Sequence, residues 1–244
     1  MKFTEVKPHL NIAPFVDAYW ELKNCDNFTI LDKVIPDGCI DLIINLGEEY
    51  LIESENCSLK SEKAYLGGAI TEVKENKIRP NTHLLGVRFK PAGFSHFYSF
   101  SSLHETTNHC VELDQHMVPD LKSLSGNFSN AFDRFYANRF IQPKHFMLPV
   151  VDSVQKLKGQ VSVNDLAEIN CTTVRQLERT FKYYTGLTPK EYIGIVRFKF
   201  ARELIASSYP ERTLLDIALE CGYYDHAHLG NEIKKYTNLS PSQL

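Results

Sequence analysis

The chain has 244 residues, of which 43% are hydrophobic, 23% charged and 11% aromatic. This composition is that of a globular protein with one large or two modest domains, and it excludes bulk disorder. No apolar run approaches the roughly 20 residues of a membrane-spanning helix, and the first residues lack the apolar core of a signal peptide. The six cysteines are widely spaced without a Cys-x-x-Cys pair, so we expect a cytoplasmic protein that has neither structural zinc nor a disulfide framework.

The net charge of −3 is distributed unevenly along the chain. Residues 148–244 carry 12 basic and 11 acidic side chains, whereas residues 1–147 carry 15 and 19. Neither part has the bulk positive charge of a strong, non-specific nucleic-acid binder. Any binding to DNA must therefore depend on a local face of the protein.

Short β-prone runs separated by turn residues fill the region from Phe28 to Lys90. The predicted strands are Phe28–Ile35, Ile40–Leu46, Tyr50–Glu53, Ala64–Ile70 and Leu84–Phe89. Strands at this spacing are typical of a small sandwich or barrel. A short helix is predicted over Ile12–Trp20, ahead of the sheet.

A weaker helical pattern follows Pro91. Phe128, Phe132, Phe135 and Ile141 lie near helical spacing and give a predicted helix one apolar face. We interpret this face as packing on its own domain, with contact in a dimer as the alternative. The domain boundary is predicted at Gln142-Pro143-Lys144.

The C-terminal part of the chain contains an internal repeat. Residues 177–192 align with residues 229–244 at an offset of 52, and residues 165–167 align with residues 216–218 at an offset of 51. The identical pairs in the longer alignment are Leu177/Leu229, Lys182/Lys234, Tyr184/Tyr236, Thr185/Thr237, Leu187/Leu239 and Pro189/Pro241. This similarity indicates a duplicated structural unit.

Each copy has the signals of a helix–turn–helix unit. The predicted N-caps are Ser162, Thr173, Thr213 and Asp225, and the predicted left-handed C-terminal caps are Gly186 and Asn238. The two units are predicted over residues 162–186 and 213–238. A linker helix is predicted over residues 190–206.

The second helix of the first unit has an outward face that can read DNA. Its outward positions are Arg175, Glu178, Arg179 and Lys182. Arginine can read guanine with two hydrogen bonds, and glutamate can accept one from cytosine. Thr172 and Thr173 precede this helix, where its N-terminus can meet a phosphate. The alternative is a solvated, charged face on a helical bundle.

These residues resemble the DNA-binding domain of AraC/XylS-type regulators. The motifs that carry the resemblance are Leu-x-Arg-x-Phe-Lys at 177–182, Gly-Leu-Thr-Pro at 186–189, Arg-Phe-x-x-Ala-Arg-x-Leu at 197–204 and Cys-Gly-Tyr at 221–223. The resemblance implies two helix–turn–helix units and base-reading positions at Arg175, Glu178 and Arg179.

The second unit departs from the family pattern. Gly230, Asn231 and Ile233 stand where the family has Ser, Arg and Phe, so the arginine that usually faces DNA is missing. Asn231 can still pair with adenine. His226 and His228 lie near the helix start and are further predicted DNA contacts. We therefore expect the first unit to dominate specificity.

The N-terminal part resembles an uncharacterised domain found on a subset of these regulators. The residues concerned are Tyr19-Trp20, Pro36-Asp37-Gly38 with Asp41, Gly67-Gly68 and Leu85–Pro91. The resemblance implies a β-rich module for sensing or dimerisation. Candidate effector-binding residues are Trp20, Asp37 and Arg88. The competing interpretations are a core tryptophan, a turn aspartate and an ordinary half-exposed strand that also carries Lys90.

The sequence contains little that supports a catalytic or metal-binding site. Residues 1–147 lack the His-x-His of a cupin-like metal oxygenase, and Gly93-Phe94-Ser95-His96-Phe97 lacks the closing glycine of a nucleophile elbow. Cys39 with a histidine such as His83 is an alternative dyad, although nothing in the sequence pairs them. The histidines and cysteine at His104, His109, Cys110 and His116 meet no ligand spacing. No catalytic residue, metal or cofactor is predicted.

The sequence therefore predicts an α+β multidomain protein. A β-rich, sandwich- or barrel-like domain with a helical extension occupies residues 1–143, and an all-α double helix–turn–helix domain occupies residues 144–244. The predicted function is sequence-specific transcription regulation of the AraC type in response to an effector. The expected partners are double-stranded operator or promoter DNA, a small-molecule effector, a second copy of the chain and, for an activator, RNA polymerase; no membrane is expected. The alternative is a ligand-binding or interaction protein whose degenerate second unit leaves little DNA binding.

Overall fold

The computed structural model describes residues 1–52, 57–142, 147–209 and 211–244. Residues 1–142 are rich in strands and are called the β region below, and residues 147–244 are helical and are called the helical region. In the parts of the chain just given, none of the helices combines the length and apolarity needed to cross a membrane. The predicted fold class, a β-rich region followed by a helical one, is confirmed.

A six-stranded antiparallel sheet organises the β region, in the order β1-β2-β9-β4-β7-β10. Its strands are β1 (Lys2–Val6), β2 (Val16–Lys23), β4 (Ile40–Asn45), β7 (Lys63–Gly67), β9 (His83–Phe89) and β10 (Cys110–Leu113). Two smaller antiparallel pairs are formed by β3 (Ile30–Val34) with β8 (Lys74–Ile78) and by β5 (Tyr50–Ile52) with β6 (Cys57–Leu59). Each of the five predicted strands overlaps an observed one; Glu53, at the end of one prediction, lies outside the described residues.

The helix predicted over Ile12–Trp20 is wrong, because most of this segment belongs to strand β2. Strand β2 pairs with β1 on one side and β9 on the other. Tyr19 packs on Phe132 on one face of the sheet, while Trp20 joins a second apolar cluster with Leu84 on the other. Since both faces are covered, the strand lacks the apolar–polar alternation that marks a strand with one wet face.

Helices cover the Tyr19 face of the sheet. They are α1 (Leu121–Leu124) and α2 (Phe128–Ala137), and they follow a short 3-10 helix, Leu103–Thr106. The predicted helix through Phe128 and Phe135 is confirmed, but Ile141 lies beyond its end. Phe132 is fully buried and its ring lies 5.1 Å from that of Tyr19. The apolar face of α2 therefore packs on its own region, and this leaves it little apolar surface for a dimer.

The helical region contains α3 (Met147–Lys156), α4 (Val163–Ile169), α5 (Val174–Thr185), α6 (Pro189–Ser208), α7 (Leu214–Glu220) and α8 (His226–Thr237). One apolar core runs from the sheet into these helices. Helix α3 packs with α4, α5 and α6. The predicted boundary includes Pro143 and Lys144, which lie outside the described residues, so the division at 143/144 stays a prediction.

Candidate DNA-binding interface

The first helix–turn–helix unit consists of α4, a tight turn and α5. Ser162 Oγ accepts a hydrogen bond from Asp165 N at 3.1 Å, and Thr173 Oγ1 accepts one from Gln176 N at 3.2 Å. These bonds satisfy backbone donors that a helix start leaves free. Gly186 ends α5 with φ +82°, the left-handed conformation that glycine adopts most readily. The predicted caps of this unit are therefore present.

Helix α5 separates a buried side from a charged outward side. Leu177 and Phe181 lie in the core, at 2% and 0% exposure. On the opposite side the structure brings together four of the predicted DNA-binding residues: Arg175, Glu178 and Arg179, which are exposed, and Lys182, which is half-buried. The guanidinium of Arg179 donates to Gln176 Oε1 at 2.6 Å. This bond restrains a long side chain one turn from the helix start.

The second unit repeats this geometry in α7 and α8. Thr213 and Asp216 form a reciprocal capping box at the start of α7, and Asp225 Oδ1 accepts from His228 N at 2.7 Å. Asn238 ends α8 with φ +58°, so asparagine does replace the glycine cap. Leu229 and Ile233, on the inner side of α8, are fully buried.

The outward side of α8 is almost free of charge near its start. The predicted DNA contacts His226, His228 and Asn231 are exposed there. The repeat places Ala227, Gly230 and Asn231 where the first unit has Arg175, Glu178 and Arg179. Basic side chains return only in the last turn, at Lys234 and Lys235. The two units therefore share a backbone design but differ in the chemistry of the face that they present.

Helix α6 joins the two units and contacts both of their second helices. The ring of Tyr192 lies 5.8 Å from that of Phe181 on α5, and the ring of Phe198 lies 4.8 Å from that of Tyr236 on α8. Ile195 and Phe198 are fully buried. A packed helix of 20 residues, which spans about 30 Å, holds α5 and α8 as a fixed pair.

The β region contacts the C-terminal end of α5, a contact that sequence reasoning missed. The carbonyl oxygen of Gly186 accepts hydrogen bonds from His104 Nδ1 at 2.9 Å and from Thr107 Oγ1 at 2.6 Å. The Tyr183 hydroxyl donates to Phe100 O at 3.0 Å. These bonds lie beyond the exposed charged face of α5, so the docked β region leaves that face free. No local pattern predicts the contact, since its partners are about 80 residues apart in the chain.

Comparison with known protein families divides the chain in the same way. Residues 166–244 match the family described as helix-turn-helix domain, and this match begins in α4 and includes α5 to α8. A transcriptional activator RhaS from Escherichia coli is 34% identical over 85 residues. The C-terminal part of the chain is therefore similar to the helix-turn-helix domain of AraC-type regulators.

The curated relatives match little more than this AraC-type domain. The RhaS match covers 35% of this chain and 30% of the relative. An uncharacterised HTH-type transcriptional regulator from Haemophilus influenzae is 30% identical over 103 residues, covering 42% of this chain and 34% of the relative. The chain thus spans about a third of the length of these relatives.

Two solved structures are also similar in outline. ToxT from Vibrio cholerae is 12% identical with a TM-score of 0.48, and the match covers 100% of this chain and 97% of that one. A transcriptional regulator from Chromobacterium violaceum, described as containing an AraC-type DNA-binding domain, is 26% identical with a TM-score of 0.35 and covers 40% of this chain and 89% of that one.

Residues 4–112, ahead of the AraC-type domain, match a domain of unknown function, DUF6597. This stretch includes the six-stranded sheet from Thr4 in β1 to Glu112 in β10. The predicted resemblance to an uncharacterised domain is therefore confirmed.

The three candidate effector residues line one cavity of about 650 Å³ in this β region. Trp20, Asp37 and Arg88 are brought together from β2, the turn before β4, and β9. Asp37 also stabilises the turn in which it lies, because its Oδ1 accepts a hydrogen bond from Cys39 N at 2.8 Å. Lys90 points elsewhere and donates to Ala13 O at 2.7 Å. Arg202 of α6 lines the same cavity, so the AraC-type domain contributes to its wall.

The residues of the alternative catalytic and metal sites have other roles. His83 bonds Glu21 through Nε2 and Oε1 at 3.1 Å. Burial raises the pKa of the Cys39 thiol well above its usual range, and Asp37 and Asp41 add to this effect, so the thiolate that a nucleophile needs is disfavoured. Among the described residues no cluster of three or more His, Cys, Asp and Glu side chains could hold a metal ion.

Proposed function

We propose that this chain is a sequence-specific DNA-binding regulator of transcription. The observation that carries the proposal is the exposed face of α5 in a tandem helix–turn–helix domain, where Arg175, Glu178 and Arg179 stand together. The match to the helix-turn-helix domain family supports it, as does the similarity to relatives that are named transcriptional regulators. Because those relatives are matched over only about a third of their length, the role of the whole chain is inferred from this domain.

In the proposed mechanism, α5 enters the major groove and reads bases. Arg175 and Arg179 are suited to guanine and Glu178 to cytosine. Thr172 and Thr173, beside the start of α5, and Lys182, towards its end, are suited to phosphate. Helix α6 would hold α8 over the next major groove, roughly 34 Å away, where His226, His228 and Asn231 add weaker contacts.

The β region would supply regulation. A small molecule in the cavity of Trp20, Asp37 and Arg88 would act as the effector, and a second copy of the chain is a further proposed partner. An activator of this kind would also contact RNA polymerase, and it would work in the cytoplasm.

Selection of bound duplexes from a randomised DNA pool tests the proposal. The wild-type chain should enrich one motif, and an Arg175→Ala/Arg179→Ala variant should lose it. Arg134→Ala is the matched control, because Arg134 is exposed on α2, away from α5. Enrichment of no motif by a folded sample, with or without cell extract as a source of effector, would overturn the proposal.

A second candidate is a ligand-binding or interaction protein that has lost DNA binding. The chemistry of α8 favours it, because Ala227, Gly230 and Asn231 replace a charged reading face. Affinity for random duplex DNA separates the two candidates. A DNA-binding protein should show affinity that falls steeply with salt, whereas the second candidate should show none at any salt concentration.

A further inference from the structure

The cavity in the β region is formed by residues that are not part of the proposed DNA-binding face on α5. It lies between the six-stranded sheet and the two smaller strand pairs, and strands of all three sheets contribute to its wall. Its volume of about 650 Å³ is within the roughly 300–1,000 Å³ of small-molecule sites. Helix α6 closes part of it through Arg202.

Most of the cavity wall is apolar. The side chains that form this part include Phe3, Leu22, Ile43, Ile52, Leu59 and Leu84. Trp20 lies across strand β9 at Gly86, where a Cβ atom would come within 2.1 Å of the indole ring. Glycine at this position therefore lets the indole lie flat on the sheet. A ligand that fills the cavity must have an apolar body, since unpaired polar groups would be costly there.

One end of the cavity is lined by polar side chains, and one hydrogen-bond donor there has no partner among the described residues. The buried Nε of Arg88 has no hydrogen-bond partner among the described residues. Its nearest carboxylate oxygens are Asp37 Oδ2 at 3.7 Å and Asp41 Oδ1 at 3.8 Å, both beyond hydrogen-bond distance. Asp41 Oδ1 instead accepts from Trp20 Nε1 at 2.7 Å. An unpaired donor thus stands beside two carboxylates that can accept.

A hydroxyl group matches this arrangement better than a charged group. It can accept from Arg88 Nε and donate to Asp37 or Asp41 at the same time. A carboxylate would meet two aspartates, and an ammonium, which has no lone pair, would leave the Arg88 Nε donor without an acceptor. The Nη1 of Arg88 has acidic neighbours of its own, since it lies 3.4 Å from Glu5 Oε2 and 4.0 Å from Asp17 Oδ2.

We infer that the cavity binds an uncharged amphiphile, an alcohol with an apolar body, whose hydroxyl lies between Arg88 and the Asp37/Asp41 pair. The ligand would extend along the apolar wall and contact Trp20. Its role as an effector rests on the proposed function, because Arg202 connects the cavity to the helix that joins the two DNA-binding units.

Trp20 supplies the test of binding, because it is the only tryptophan in the chain. Its fluorescence is titrated at neutral pH with 1-decanol, decanoate and decylamine, each below its aggregation limit. We expect saturable binding of the alcohol at least about tenfold tighter than that of either ion. Preference for either ion, equal binding of all three, or no saturable change would overturn the inference.

A filling variant shows whether the ligand occupies this cavity. Gly67 lines the cavity, and a Cβ there would meet Ile43 Cδ1 at an ordinary 3.5 Å. Gly67→Leu should abolish the fluorescence response, whereas Gly126→Leu, at a position where a Cβ would have no atom of the described residues within 4 Å, should retain it. Unchanged binding in a folded Gly67→Leu variant would place the alcohol elsewhere. If Gly67→Leu does not fold, the Asn variants described next decide the question.

Asparagine variants test the position of the hydroxyl. In Asp37→Asn/Asp41→Asn the side-chain oxygens can still accept from Cys39 N and Trp20 Nε1, while the two negative charges are gone. Arg88 should then favour an anion, so decanoate should bind about tenfold tighter than to the wild type. Unchanged preference for the alcohol would show that its head does not lie at Arg88.

The failure of this inference can be told apart from failure of the proposed function. The titrations contain no DNA, so alcohol binding by a chain without DNA affinity would support the cavity and reject the regulator. Conversely, a DNA-binding chain without a Trp20 response would reject the cavity alone. At 1-decanol concentrations that saturate the Trp20 response of each chain, Arg202→Ala should remove the effect of 1-decanol on DNA affinity, because Arg202 is the side chain through which α6 meets the cavity. An effect on DNA that persists in Arg202→Ala would reject the route through α6.

Discussion

Among single residues, Arg179 allows the sharpest test of base recognition. It is exposed on α5 and held by Gln176 Oε1 at 2.6 Å. We expect Arg179→Ala to relax specificity at one base pair and to cost about 1–3 kcal/mol of binding free energy on the selected site. Titration of the selected and a random duplex at one salt concentration measures this. Equal losses on both duplexes would assign Arg179 to phosphate instead.

Asp41 gives a second residue-scale prediction, in pH dependence. Burial raises the pKa of Asp41 to about 6 from its ordinary 3.8; Arg88 opposes the shift and Asp37 adds to it. Because the folded-state pKa is the higher one, Asp41 contributes stability below about pH 3.8 that is lost as pH rises through about 6. The full pKa shift corresponds to a change of about 3 kcal/mol in the free energy of unfolding. We expect a measured change of about 1–2 kcal/mol, because the Asp41 side chain remains 29% exposed and solvent screens its charge.

Asp41→Asn isolates this effect, since the amide can still accept from Trp20 Nε1 but does not titrate. In urea unfolding the variant should be more stable than the wild type at pH 7, and the difference should shrink towards zero by pH 4. Asp114→Asn is the control, at an exposed position whose side chain makes no capping bond. A stability difference between Asp41→Asn and the wild type that does not change with pH would contradict the prediction.

At the scale of elements, the stability of the protein is predicted to respond differently to alanine at two helical glycines. Among the described residues, the nearest atom to a Cβ on Gly230 in α8 would be Pro241 Cγ at 4.0 Å, whereas a Cβ on Gly194 in α6 would lie 2.9 Å from the Tyr236 hydroxyl. Gly230→Ala should raise the free energy of unfolding by about 0.5–1 kcal/mol, through reduced backbone freedom in the unfolded chain. Gly194→Ala should lose that gain because Tyr236 must move. Urea unfolding of both variants measures the contrast, and equal effects would refute it.

The helix ends could be predicted from sequence, whereas strand β2 could not. A cap is completed within a few residues, as between Thr213 and Asp216, so its signal is local. Strand β2 acquires its structure from pairing with β1 and with β9, which lies more than 60 residues away. The sequence likewise does not predict strand β8, Lys74–Ile78, which pairs with β3 and has only one of its five residues buried.

At the scale of the whole molecule, the fixed spacing of α5 and α8 predicts that base recognition can be transferred from α5 to α8 by substitution. Ala227→Arg/Gly230→Glu/Asn231→Arg gives α8 the reading residues of α5. The selected motif should then become a direct repeat of the first half-site, with centres about 10 base pairs apart. Selection from the randomised pool measures this, with Lys234→Arg, in the last turn of α8, as a control. An unchanged motif would show that α8 does not reach the bases.

The caps and the outward face of α5 were evident from sequence because each depends on residues within a few turns of one another, and the repeat was evident because residues 177–192 and 229–244 align directly. The placement of Trp20, Asp37 and Arg88 around one cavity was not, although each was a candidate, because they come from separate strands and a turn. The bonds of His104 and Thr107 to Gly186 likewise join distant segments. Local patterns determine which helices form and where they end. Only the tertiary arrangement of the three sheets and α6 decides which residues form the cavity and how it meets the helical region.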